Sequence, residues 1–180
     1  MTFIGKDLND IKELHFDQTS YDPRGETTSE NKQLLNGNAV FKDIAVVCAL
    51  NNKAKIFHDD GKFNKQGEPT EAALKVAAEK LGRYDERLGK ADYAKDPTPY
   101  ATMLSQTIKP VATLDFTSDR KTMSTVVRGF NGDINSVLLK GAPERVIEKC
   151  ESYKTADGRV VKLTAEDKHK LINECKKYSS

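Results

Sequence analysis

Two short blocks of this chain hold the residue types that a flat, anionic ligand needs. Asp115-Phe116-Thr117-Ser118-Asp119-Arg120-Lys121-Thr122-Met123 is followed, after a β-patterned stretch, by Lys140-Gly141-Ala142-Pro143-Glu144. Together they offer an aromatic face, two isolated lysines and a glycine. An aromatic ring is a flat apolar partner for a base, an ammonium attracts phosphate, and glycine lets the backbone come close. Such a combination can hold a purine ring and point its phosphates outward. The second block also has a plainer reading, in which a strand ends at Lys140, Gly141 turns the chain and Pro143 opens a helix at its first position. A third block, Gly67-Glu68-Pro69-Thr70-Glu71-Ala72-Ala73-Leu74, puts proline in the first turn of a helix and acids near its positive end.

The elements that must position these blocks are legible in the periodicity. Val40, Ile44, Val47 and Cys48 repeat at helical spacing and predict a helix from about Asn38 to Asn51, with Asn51-Asn52 as its stop. A short strand near Ala54–Phe57 and a turn over His58-Asp59-Asp60-Gly61-Lys62 follow. The second helix starts near Pro69, buries Leu74, Ala77, Ala78 and Leu81, and takes Gly82 as its C-cap. Residues 83–100 are charged and read as a polar excursion with one short helix, and the pattern changes from helix to strand at Thr107. Ala112, Leu114 and Phe116 alternate with Thr113 and Asp115, which predicts a half-buried strand. Thr122–Arg128 and Asp133–Lys140 read as two more strands joined through Phe130-Asn131-Gly132, a hairpin signal. A short helix from Pro143 to Cys150, a turn at Asp157-Gly158 and a final helix from Thr164, with Leu171, Ile172 and Cys175 on its apolar face, complete the chain. Residues 1–30 are polar and aperiodic, with loop punctuation in Tyr21-Asp22-Pro23-Arg24-Gly25-Glu26. The predicted fold class is α+β, an antiparallel sheet flanked by helices.

At 180 residues the chain suits one domain with a real core, residues 1–180. Charged residues make up 31 % and the formal net charge is +2, which excludes the concentrated basic face of a nucleic-acid binder. No apolar run has the length of a membrane span or the apolar core of a signal peptide, so a soluble chain is expected. Cys48, Cys150 and Cys175 are odd in number and far apart, which argues against a zinc site or a disulfide framework and for a reducing compartment. His15, His58 and His169 sit in charged surroundings without a second ligand at metal spacing, so no metal site is expected.

Taken in order, Gly67–Leu74, Asp115–Met123 and Lys140–Glu144 resemble the signature blocks of the nucleotide-binding (N) domain of P-type cation pumps, nearest to the calcium pumps of the sarco/endoplasmic reticulum type. The resemblance implies roles residue by residue. Phe116 matches the aromatic that stacks on adenine, a contact of about 1–3 kcal/mol per base in nucleic-acid systems; read without it, Phe116 is a core side chain. Glu71 matches the acid that accepts from the adenine amino group; read without it, Glu71 is a favourable charge in a helix first turn. Lys121 matches the lysine aimed at the phosphates, and Lys140 the one lining the pocket floor, with Gly141 and Ala142 keeping that wall free of side chains. Glu68, Thr70, Arg120 and Met123 belong to the same blocks.

The chain also departs from the pattern. Ser118 stands where relatives often carry a basic residue, so one phosphate contact is either missing or supplied by Arg120. The histidines precede Phe16, Asp59 and Lys170, so the His-Pro adenine clamp of heavy-metal pumps is absent. No Asp-Lys-Thr-Gly-Thr phosphorylation sequence occurs. The chain therefore resembles an insert cut near both hinges of a larger pump, with its first and last elements as neighbours and no catalytic residue of its own. What the resemblance implies is a cytosol-facing monomer that binds ATP or ADP, with Mg2+ carried mainly through a separate phosphorylation domain. That domain and an actuator domain of the same parent would be its partners, and the parent would sit in the endoplasmic reticulum membrane. The alternatives are the N domain of a sodium or proton pump and an interaction module without nucleotide. A stand-alone kinase is disfavoured because neither G-x-x-x-x-G-K-[ST] nor G-x-G-x-x-G is present.

Overall fold

The computed structural model of the chain describes residues 1–16, 20–25, 34–35, 38–132 and 134–178. Glu26 and the Thr27–Glu30 run, expected as loop, and Asp133, expected to open a strand, lie outside the described residues. In chain order the elements are β1 (Thr2–Ile4), β2 (Ile11–Glu13), α1 (Ala39–Leu50), β3 (Lys55–Asp59), β4 (Lys62–Gln66), α2 (Pro69–Gly82), a 3-10 turn at Glu86–Leu88, α3 (Pro99–Thr107), β5 (Lys109–Leu114), β6 (Thr122–Asn131), β7 (Ile134–Gly141), α4 (Pro143–Lys149), β8 (Ser152–Lys154), β9 (Val160–Lys162) and α5 (Ala165–Lys176). The fold is α+β, and every strand pairing among the described residues is antiparallel. The strands do not form one sheet. Among the described residues they form three separate hairpins, β1–β2, β3–β4 and β8–β9, and one three-stranded sheet in the order β5-β6-β7.

The core lies between α1, α2 and α3 and the inner face of β6 and β7. Phe41, Ala45, Val46 and Ala49 of α1 meet Ala78 and Leu81 of α2, Tyr100 and Leu104 of α3, Val127 of β6 and Leu138 of β7. Two fully buried polar side chains clasp these layers. The amide of Asn51, directly after α1, donates to the carbonyls of Met123 (3.1 Å) and Leu138 (3.2 Å) and accepts from the Thr125 hydroxyl at 2.9 Å. Glu79 of α2 caps α3 from outside its own chain segment: its carboxylate accepts from the amides of Tyr100 and Ala101, both at 2.9 Å. Thr98, the N-cap of α3, makes no side-chain cap bond, so Glu79 satisfies amides that the helix leaves open.

Several expectations are corrected. Gly82 does not cap α2 in a left-handed turn; it is the last helical residue, and a Cβ there would fall 2.1 Å from the Tyr100 ring. Close packing of α2 on α3, not capping, is what calls for glycine. The buried face of α2 is broader than its apolar stripe and takes in Glu79 and Lys80, whereas Leu74 and Ala77 are half-buried. The half-buried strand expected through Phe116 ends at Leu114 and is exposed along its whole length, because β5 is an edge strand whose outer face has no neighbouring layer among the described residues. The predicted turn at His58–Lys62 narrows to Asp60-Gly61, both with positive φ, and β4, unforeseen, pairs back on β3. The hairpins β1–β2 and β8–β9 were also not foreseen, since three-residue strands are too short to show alternation.

The first and last elements meet. Thr2, Phe3, Ile4 and Ile11 share a cleft with Leu171, Glu174, Cys175 and Tyr178, and the Tyr178 hydroxyl donates to Glu13 at 2.8 Å. Among the described residues no helix is long and apolar enough to cross a membrane, and no cluster of His, Cys, Asp or Glu could hold a metal. Cys48 and Cys150 are free thiols, and burial pushes the Cys48 thiol up to about 11.

Candidate functional site

Pro69 at the start of α2 places Glu71 in the first helical turn, half-buried and directed at the end of β7. There the Lys140 ammonium donates to Glu71 Oε1 at 2.7 Å, and both side chains are less than one-fifth exposed. Glu71 Oε2 accepts the backbone amide of Lys53 at 3.1 Å. Burial alone pushes the Glu71 carboxyl up; the hydrogen bond and charge of Lys140, with the Lys53 amide, more than offset this and hold it below its ordinary value. Glu71 is therefore ionised at neutral pH. Each of its oxygens keeps a second lone pair, so it can still accept from a ligand amine.

The loop between β5 and β6 supplies the other wall. Its first residue, Asp115, is gripped by Lys53, whose Nζ lies 2.6 and 2.7 Å from the two carboxylate oxygens. Arg120 folds back across the loop and donates to the Asp115 carbonyl, and the Lys121 amide donates to the Thr117 carbonyl at 2.7 Å. Within this closed loop Phe116 stands 58 % exposed. That overturns its alternative reading as a core phenylalanine, since a core ring would be covered. Phe116 joins the Glu71–Lys140 pair through its neighbour Asp115 and the bridging Lys53.

Lys121 closes the loop at φ 51°, an uncommon conformation for a residue with a side chain, and its ammonium end is in the open. Its carbonyl accepts the Ala142 amide at 2.9 Å. Gly141 lies so near that a Cβ would come within 2.3 Å of the same oxygen. Glycine is thus required where β7 passes the end of the loop, a firmer reason than an uncluttered pocket wall. Met123, opposite Lys140 in the β6–β7 ladder, is buried. Thr70 and Glu68 are exposed at the start of α2, and Glu68 makes no side-chain cap bond. Arg120 is engaged with the loop backbone rather than projecting free in place of a basic residue at Ser118.

The structure brings together Glu71, Lys140, Gly141, Ala142 and Lys121, and it adds residues that the motif blocks do not single out. Asn52 donates to the Glu71 carbonyl at 2.7 Å and to the Cys48 carbonyl at 2.9 Å, while Lys53 spans Glu71 and Asp115. In the sequence, Asn51-Asn52 reads only as a helix stop, and nothing local announces partners on α2 and beyond β5. Chemically, the arrangement is an ionised acid steadied by a lysine, an exposed ring on a braced loop and a free cation beside a side-chain-free turn. That set of groups fits the chemistry of adenine and phosphates.

Comparison with known proteins agrees. The family model for the P-type ATPase cytoplasmic domain N matches residues 40–180. The endoplasmic reticulum calcium ATPase srcA of Aspergillus fumigatus is 30 % identical over 190 residues, covering 100 % of this chain and 19 % of that protein. Two endoplasmic reticulum-type calcium-transporting ATPases of Arabidopsis thaliana, numbers 4 and 2, are 32 % and 31 % identical over 89 % and 87 % of the chain. The chain spans less than a fifth of the length of these relatives. With the family's three blocks converging on one edge of an α+β fold and its model covering most of the sequence, the chain belongs to the P-type ATPase family, as the cytoplasmic domain N.

Proposed function

We propose that the chain is the ATP-binding module of a calcium-transporting P-type ATPase of the endoplasmic reticulum membrane. In this reading it holds adenine and presents the γ-phosphate to an aspartate on a separate phosphorylation domain of the same parent. The half-buried Glu71–Lys140 pair carries the reading. A carboxylate kept ionised and mostly buried can accept from the 6-amino group of adenine, and Lys140 holds it in place. Phe116 provides the ring face, and Lys121 faces the phosphates. Mg2+ bound with the nucleotide would supply charge neutralisation at the phosphates, held mainly by residues of the phosphorylation domain. This chain's part is to orient the nucleotide, and positioning is a large share of phosphoryl-transfer catalysis.

Affinity should then be modest, with dissociation constants around 0.1–10 mM for ATP and ADP and little dependence on Mg2+. Titration of ATP, ADP and AMP into the wild type and Phe116→Ala checks the assignment. Loss of the ring should weaken all three alike, by about 1 kcal/mol or more. Unchanged binding by Phe116→Ala would remove the stacking site, and a wild type that binds none of the three would favour an interaction module without nucleotide.

A further inference from the structure

Three consecutive residues after α1 tie the walls of the site to one another. Asn51 is buried and bonded to the backbones of β6 and β7. The Asn52 side-chain Nδ2 donates to the Glu71 backbone carbonyl, and its Oδ1 accepts from the Ala54 amide at 2.9 Å. Lys53 gives its amide to the Glu71 carboxylate and its ammonium to Asp115, the residue before Phe116. Glu71 and Phe116 sit on elements far apart in sequence, so their spacing depends on what bridges them.

We propose that Asn52 and Lys53 are positioning residues of the adenine end of this site, fixing Glu71 against the loop that carries Phe116. The inference rests on the nucleotide reading above. Ring stacking accepts any base, because every base has a π face. Base identity is read by the carboxylate: adenine offers it an amino donor where guanine offers a carbonyl acceptor, which a carboxylate repels. A stacked base meets Glu71 correctly only when acid and ring are held at a set separation. A loosened bridge therefore shows first in the preference between bases and less in the attraction for phosphates. The Lys53–Asp115 pair is 60 % exposed on both sides, and an exposed pair adds little to folding. Its side chains can be removed from a protein that still folds.

The test is titration of ATP and GTP into the wild-type chain and into Lys53→Ala, Lys53→Arg, Asn52→Ser, Asp115→Ala and the Lys53→Ala/Asp115→Ala double variant, with thermal unfolding in parallel. The wild type should prefer ATP. Lys53→Ala should lose about two- to five-fold in ATP affinity, the range of an exposed ion pair, with GTP nearly unchanged, so that the preference narrows. Lys53→Arg should restore it, and the double variant should be no worse than the more affected single one. Asn52→Ser should narrow the preference too, and Lys53→Ala alone decides the matter where the serine variant unfolds. A preserved ATP-to-GTP ratio in Lys53→Ala overturns the positioning role and leaves the nucleotide reading standing. Equal binding of ATP and GTP by the wild type does the same. A wild type that binds neither overturns the nucleotide reading, and this inference with it.

Discussion

Lys121 carries backbone strain in order to put a charge in the open. At φ 51° it adopts a conformation that glycine takes freely, and a residue with a side chain held there costs on the order of 1–3 kcal/mol. The surroundings enforce it: the Thr117 carbonyl and the Ala142 amide bind its two backbone groups, and Gly141 leaves no room to shift. Strain retained at an exposed cation is what a phosphate contact would explain. Lys121→Gly should relax the backbone and leave stability unchanged or raise it by up to about 1 kcal/mol. Lys121→Gly and Lys121→Ala should both weaken ATP more than AMP, since a cation discriminates by phosphate charge. Urea unfolding and a titration series with AMP, ADP and ATP read the two effects separately. Equal loss for AMP and ATP would show that the ammonium does not meet the outer phosphates.

At the scale of elements, Glu79 is the coupling between α2, which carries Glu71, and α3, which runs into β5 and the Phe116 loop. It has no exposed surface. Burial pushes its carboxyl up to about 7, while the Ala101 and Tyr100 amides and Lys75 pull the other way and Asp96 adds to the rise. Tyr93 lies close enough for its hydroxyl to be pushed up, first by its own burial and then by Glu79. The folded chain keeps this proton up to about pH 7, whereas the unfolded chain releases it near 4.5. Between those values the native state binds more protons, so stability falls as pH rises through the window and is fully present below it. The span corresponds to about 3 kcal/mol at most. Denaturant unfolding from pH 4.5 to 7.5 should show this slope in the wild type and a flatter profile in Glu79→Gln, whatever the variant costs at one pH. A Glu79→Gln profile parallel to the wild type would place the proton elsewhere. None of this was legible beforehand: a glutamate next to a lysine on an amphipathic helix reads as solvated, and only packing against α3 reveals a buried cap.

At the scale of the whole molecule, what the sequence made legible was local. Helices with strong spacing or marked ends, such as α1 with Asn38 at its N-cap and α5 with its Thr164–Asp167 capping box, lie where periodicity places them. The hairpins formed by β1–β2 and β8–β9 escaped it because three-residue strands are too short to show alternation. The site followed the same division: Glu71, Lys121, Lys140 and Gly141 stand in recognisable blocks, while Asn52 and Lys53 acquire meaning only through distant partners. The same long-range closure brings β1 and β2 to the end of α5. Tyr178 donates to Glu13, and Lys170 donates to Asn9 on the turn between the strands. A chain whose first and last elements touch should tolerate being joined there and opened elsewhere. A linker of about six glycine and serine residues reaches roughly 13 Å on average, enough for neighbouring segments. The turn at Asp60-Gly61 is a suitable opening, since both residues are exposed and nothing lies within 4 Å of where a Gly61 Cβ would stand. A circular permutant starting at Gly61 should unfold cooperatively and bind ATP within a few-fold of the parent, because the cut misses α1, α2 and the β5–β6 loop. A permutant without a cooperative transition would mean that β3–β4 closure, rather than the meeting of the ends, holds the molecule together.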